Sequence, residues 1–346
     1  MKLFFSFASL LLAAQTLFAQ EQLPSQVPTP ADNPTTEAKV LLGKTLYFDP
    51  RLSLDGTVSC NSCHNVMAAG EDGRPTSVGI KGQRGGRNAP TVWNSGFLTV
   101  QFWDGRAATL EDQAKGPLVN PIEMGMPNHQ AVIERIKKIP GYQAMFDAAF
   151  GKSKNNINID NVAKAIASFE RTLVAPSRFD RWMAGDKKAL SDIEVQGFET
   201  MKAVGCFSCH MGPNFAGPML PLGTGFYQKL PANPTKAYWE KYDKKYELSK
   251  DLGRFEVTKD ENDKNKFRVP TLRNVALTAP YFHNGKVTQL EEAVRIMAEA
   301  QLSTTLKDDQ VKKIVAFLKA LNGEFPKMEM PRLPGTETFS IVGEQN

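Results

Sequence analysis

Helical periodicity organises most of the chain. Around Thr36 helix signals begin, with Val40, Leu41 and Leu46 on a partial apolar stripe. Residues 129–149 read as two short helices broken at Pro140-Gly141. Residues 159–174 set Val162, Ile166, Phe169 and Leu173 at helical spacing, which predicts an amphipathic helix. Residues 190–203, 288–301 and 307–321 read the same way, the last through Val311, Ile314, Val315 and Leu318. No sustained strand alternation is present, so the fold class is mostly α. Between the helices lie two long Gly/Pro-rich loops, residues 65–128 and 211–287. Loops of this length are uncommon unless functional. Within the second, residues 229–266 hold 18 charged residues of 38, which reads as a solvated excursion, with a docking surface as the alternative.

The N-terminus has a different pattern. Residues 3–14 are apolar except Ser6 and Ser9; they follow a lone Lys2 and precede Leu17-Phe18-Ala19, a plausible cleavage site. This predicts a signal peptide over residues 1–19. The run is shorter than the ~20 apolar residues of a membrane span, and no later stretch is apolar enough for one. Residues 20–35, with Pro24, Pro28, Pro30 and Pro34, read as a flexible leader. At 346 residues, 41% hydrophobic and 23% charged, the chain is neither disordered nor a coiled coil as a whole, and its length suits about two domains. Its 42 basic and 37 acidic residues are interspersed, so the net charge of +5 does not indicate a nucleic-acid partner.

The cysteines carry the chemistry. There are four, in Cys60-Asn61-Ser62-Cys63-His64 and Cys206-Phe207-Ser208-Cys209-His210. This is the c-type haem attachment frame. Two thiols about one helical turn apart reach the two vinyl groups of one porphyrin, and the next residue offers its imidazole to the iron. Chance would produce on the order of 0.0005 such frames in a chain of this composition. Disulfides leave the histidines unexplained, and a zinc site with four cysteine ligands needs pairs 142 residues apart to converge. The frames begin 146 residues apart and each follows a helix, so two cytochrome c-like domains are expected, each around one covalently bound haem, although the sequence repeat is faint. The boundary falls near residues 178–186. That gives an N-terminal domain over residues 36–180, a C-terminal domain over 181–325 and a tail over 326–346.

A second axial ligand decides whether such an iron carries electrons or does chemistry. Met297 lies on the helix from 288, 87 residues beyond His210, a compatible distance. By spacing alone, a Met on an apolar helix face is more often core than ligand. His129 opens a helix after Pro127-Asn128 and reads as exposed or capping. His283, in Tyr281-Phe282-His283-Asn284-Gly285, sits in a turn and is open as ligand, supporting residue or structural group.

From about residue 41 to 321 the chain resembles the bacterial dihaem cytochrome c peroxidases. The resemblance rests on Asp49-Pro50-Arg51-Leu52-Ser53, Arg87-Asn88-Ala89-Pro90-Thr91, Gln101-Phe102-Trp103-Asp104-Gly105-Arg106, Asn120-Pro121-Ile122-Glu123-Met124, Val269-Pro270-Thr271-Leu272-Arg273-Asn274 and Pro280-Tyr281-Phe282-His283-Asn284-Gly285, with both haem frames between them. It implies a periplasmic enzyme that reduces hydrogen peroxide to water. The N-terminal haem, with His64, is then the peroxidatic centre, and the C-terminal haem, with His210 and Met297, receives electrons from a small cytochrome c or cupredoxin. Trp103 lies between the haems, and Gln113 and Glu123 line the peroxide pocket. Asn88, Thr278 and Pro280 bind a calcium ion between the domains, the last two through backbone carbonyls, and the protein is a homodimer. Heterolysis of a peroxide moves a proton from the inner to the outer oxygen, which a carboxylate within reach does as base and then acid. Without the family, a Glu in such a loop is usually a surface residue. The rival functions are a non-catalytic dihaem electron carrier and a protein-modifying dihaem oxidase, like the methylamine dehydrogenase maturation enzyme. In that relative a Tyr takes the place of Met297.

One departure stands out. Many relatives block the peroxidatic iron at rest with a distal histidine after Thr-Ser-Ile-Gly. Here the loop is Thr76-Ser77-Val78-Gly79-Ile80-Lys81, with Ile80 at the expected position and no histidine between His64 and His129. The expectation is a peroxidase without that lock, with Met67 or Lys81 as the substitute ligands to consider.

Overall fold

The computed structural model describes residues 20–336 and 340. The predicted signal peptide lies outside the described residues. The longer helices are α1 (Glu37–Phe48), α2 (Leu110–Val119), α3 (His129–Lys137), α4 (Pro140–Phe150), α5 (Ile159–Glu170), α6 (Arg178–Met183), α7 (Asp192–Val204), α8 (Leu290–Gln301) and α9 (Asp308–Ala320). The described strands, β1 (Tyr227–Lys229) and β2 (Lys266–Arg268), form one antiparallel pair with Gln228 opposite Phe267.

Local chemistry accounts for the helix ends. Thr36, Asn128 and Asn158 cap α1, α3 and α5, each side chain accepting from a backbone N–H three residues on. Pro140 opens α4 instead of breaking it, because a first helical position needs no N–H; the break falls at Lys138-Ile139. On α1 the inward stripe runs through Leu42 and Leu46, while Leu41 is 57% exposed. Leu173 is buried from beyond the end of α5. Helix α2 lies inside a stretch that reads as loop, since Gly116 and Pro117 mask its periodicity.

Buried apolar side chains form two clusters. One is drawn from residues 42–175, where α5 packs on α1 and α2. The other is drawn from residues 179–321, where α9 packs on α7 and α8 around Phe179, Phe198, Phe215 and Phe317. The charged stretch 229–266 is anchored to the second cluster by Tyr238, Tyr242, Tyr246 and Leu248, all buried.

The leader is tied down where a flexible segment was expected, and the C-terminal segment is held as well. The leader has no helix or strand, yet Leu23 N donates to Asp180 Oδ1 (2.8 Å), and the fully buried Asn33 donates to Glu111 Oε1 (2.6 Å) and Lys164 O (3.0 Å). These bonds tie it across both clusters. At the other end, the Phe325 ring centroid lies 4.7 Å from that of Trp93, and Arg51 Nη1 donates to Pro334 O (2.8 Å). The chain thus returns from the second cluster to the first.

Candidate functional site

Each Cys-x-x-Cys-His frame sits on a short helical turn, Cys60–Cys63 and Cys206–Ser208. All four cysteines are free thiols. No group of three or more His, Cys, Asp or Glu that could hold a metal ion occurs among the described residues, so the two pairs do not converge as a zinc site would require. Burial pushes the Cys60 thiol up, the Cys63 thiol to about 11 and the Cys206 thiol to about 12. Such surroundings penalise a thiolate but suit an uncharged thioether.

The histidines are prepared as ligands. His64 Nδ1 lies 2.9 Å from Pro90 O and His210 Nδ1 lies 3.0 Å from Phe215 O. A carbonyl only accepts, so Nδ1 carries the proton and Nε2 keeps its lone pair for a metal. Burial lowers both pKa values, which holds both rings neutral. These donor sets fit haem. Met297, half-buried on α8, lines a cavity of about 260 Å³ together with Cys206, Cys209 and His210. The same cavity reaches Pro90, the residue that holds His64, and takes in Trp103, Asn88, Thr278 and Pro280.

The junction between the clusters has approximate twofold symmetry. Ala89-Pro90-Thr91 and Phe102-Trp103-Asp104-Gly105-Arg106 recur 180 residues later as Val269-Pro270-Thr271 and Phe282-His283-Asn284-Gly285-Lys286. Phe102 and Phe282 share the left-handed backbone conformation, φ 67° and 69°. Asn88 N donates to His283 O (2.7 Å), and at the equivalent places Arg268 N donates to Trp103 O (2.8 Å). The Trp103 and His283 rings meet edge to face, with centroids 6.2 Å apart, and Trp103 Nε1 donates to Asn88 O (2.9 Å). Around them Arg87 spans to Asp104 and Asp251. Sequence reasoning left His283 open and did not find Arg268. The signal that would have shown both was the 180-residue offset of these loops, hidden by the 146-residue offset of the haem frames.

Glu123 belongs to the other side of the molecule. It lies on a loop pinned by Met124 N to Pro117 O and Gly125 N to Asn120 O. Asn120 Nδ2 donates to its Oε1 (2.8 Å). Burial raises the Glu123 pKa, with nearby Arg106 and the Asn120 bond opposing. Its charge adds a small upward push to the pKa of both Cys60 and Cys63. Gln113, on α2, is half-buried, and its side chain makes no hydrogen bond to Glu123. Ile80 is 2% exposed, and its N–H donates to Glu123 O (2.9 Å). That approach requires Gly79: a Cβ there would stand 1.9 Å from Ile122 O. Met67, 77% exposed, and Lys81, also exposed, turn to solvent. His129 is half-buried, with Nε2 3.0 Å from Lys115 O.

Comparison with known proteins adds four matches. Residues 37–188 match the family described as di-haem cytochrome c peroxidase. The chain is 43% identical over 331 residues to the cytochrome c551 peroxidase of Nitrosomonas europaea, covering 95% of this chain and 92% of that protein. It is 44% identical over 344 residues to the cytochrome c551 peroxidase of Pseudomonas aeruginosa, covering 97% and 95%. Among solved structures, a MauG-like protein associated with microbial copper homeostasis superposes with a TM-score of 0.75 at 30% identity, over 87% of this chain and 95% of that one.

Proposed function

The chain belongs to the di-haem cytochrome c peroxidase family, an oxidoreductase family, and from that membership and the two frames we propose that it reduces hydrogen peroxide to two waters with two electrons and two protons. Two haems, joined as thioethers through Cys60 and Cys63 and through Cys206 and Cys209, supply the iron and the redox equivalents. His64 and His210 would hold one iron each, and Met297 would offer its thioether on the His210 side. We place electron uptake from a small cytochrome c or cupredoxin on the His210–Met297 side, and peroxide reduction on the His64 side. Trp103 occupies the ground between them.

Glu123 carries the reading. Its carboxyl is half-buried, with Oε1 held by Asn120 and Oε2 left to take a proton from peroxide and return it to the leaving oxygen. Gln113, on the helix that leads into the same loop, orients the substrate. Ile80 replaces the histidine of relatives, so this side has no imidazole to displace. Asn88, Thr278 and Pro280 line one cavity, and with its Nδ2 committed to Arg74 O (2.9 Å) Asn88 keeps Oδ1 for a calcium ion. Export to the periplasm by residues 1–19 and homodimer formation complete the proposal.

The experiment is steady-state peroxide reduction by Glu123→Gln with a reduced cytochrome as donor. A fall of about 10²–10⁴-fold at unchanged haem content is expected. Unchanged turnover favours the electron carrier. The MauG-like structural relative keeps a protein-modifying oxidase as a second reading; Met297, where that enzyme type has Tyr, argues against it.

A further inference from the structure

Three arginines are buried among the described residues and two of them have a carboxylate, as does the half-buried Arg87. Arg273, 1% exposed, is bidentate to Asp180; Arg171 is bidentate to Glu111; Arg87 pairs with Asp104 and Asp251. Arg268, on β2, is 4% exposed and forms no ion pair among the described residues. Its side-chain hydrogen bonds run to main-chain carbonyls, Nε to Phe102 O and Nη1 to Val269 O, both 3.1 Å. Burial brings its pKa down to about 10, only partly offset by Tyr227 and Asp104. A buried guanidinium without a counter-charge is strongly unfavourable, so its place in the fold needs an anion. Arg268 lines the cavity of Cys206, His210 and Met297.

A second orphan faces the same space. His283 is 1% exposed and its Nε2 has no hydrogen-bond partner. Its ring is stacked on Phe267, the residue before Arg268, at 4.4 Å and 13°. The cavity is otherwise lined mainly by apolar side chains. Arg268 is therefore an unpaired cation in a largely apolar slot, and the neutral His283 ring beside it leaves Nε2 as an acceptor that supplies no counter-charge.

We propose that Arg268 forms the carboxylate-binding end of the C-terminal cavity, as the counter-ion to a propionate of the haem held by His210. This rests on the reading that the cavity holds that haem. A guanidinium fork matches a carboxylate with two parallel hydrogen bonds. Arg268 also donates through its N–H to Trp103 O (2.8 Å), so the residue that holds the cofactor edge holds the Trp103 segment as well. It is a positioning residue, and its fixed positive charge favours the reduced haem, as suits the centre that takes up electrons.

The test is an optical redox titration of holoprotein, with the haem count per chain measured first. Two haems per chain support the underlying reading, and a haem missing from this cavity defeats that reading by itself. Given both haems, Arg268→Gln is expected to shift the C-terminal reduction equilibrium toward the oxidised form by about tenfold, or about 59 mV for one electron. Arg268→Lys should shift it less, and the His64-side haem should hold its potential in both variants. An unchanged C-terminal potential in Arg268→Gln overturns the inference. Should that variant not fold, the crystal structure of the wild-type holoprotein decides. A propionate oxygen within hydrogen-bond distance of the guanidinium supports the proposal, and a guanidinium facing solvent or a protein carboxylate refutes it.

Discussion

Glu123, half-buried, and Glu170, buried, both have a pKa raised by desolvation, and they make different predictions. In Glu123 burial outweighs Arg106 and Asn120, so its proton comes off above the ordinary value of 4.5. As the base that must begin unprotonated, it should impose an acid limb on kcat for peroxide that lies above pH 4.5, and Glu123→Gln should erase that limb from the pH–rate profile. Glu170, at the end of α5, is 6% exposed with Oε2 unpartnered, and burial pushes its pKa up to about 8. The folded state therefore holds a proton that the unfolded chain releases near 4.5. Its contribution to stability is present below that pH and is lost as the pH rises toward 8. Denaturant titrations from about pH 5 to 8 should show this fall, and Glu170→Gln should flatten it. Residue identity alone did not separate these two acids from the rest, because a pKa is set by what surrounds the group.

At the scale of elements, Asp180 on α6 shows how helices are locked around the second frame. It accepts both arms of Arg273 (2.7 and 2.8 Å) and the Leu23 N–H, so one carboxylate joins α6, the loop after β2 and the leader. Asp180→Ala leaves Arg273 charged and buried, and should cost about 3–5 kcal/mol in a denaturant titration. Helix positions were legible from periodicity and caps, since a core-facing stripe and an N-cap are local properties. Helix α2 was not, because Gly116 and Pro117 dilute its ten residues. The leader was not either: its prolines suggest freedom, but Asn33 is fixed by Glu111 and by the Lys164 carbonyl, partners 78 and 131 residues away.

For the molecule as a whole, the two sides are unequal. His210 shares its cavity with Met297, whereas Ile80, in the loop where the family resemblance leads one to expect a histidine, is packed against Gly125 with its N–H on Glu123 O. Protein isolated fully oxidised should therefore turn over peroxide from the first cycle, without half-reduction beforehand, which stopped-flow traces with and without pre-reduction will check. A lag removed only by prior reduction would contradict this. The two frames, the mostly helical class and the family were all readable from the linear chain, because haem attachment needs three residues within five positions and amphipathic helices write their period locally. The twofold junction was not. Asn88 meets His283, and Arg268 meets Trp103, across more than 160 positions. Whether a buried arginine finds a carboxylate or faces a cavity depends on which distant segments pack around it, and no local pattern encodes that.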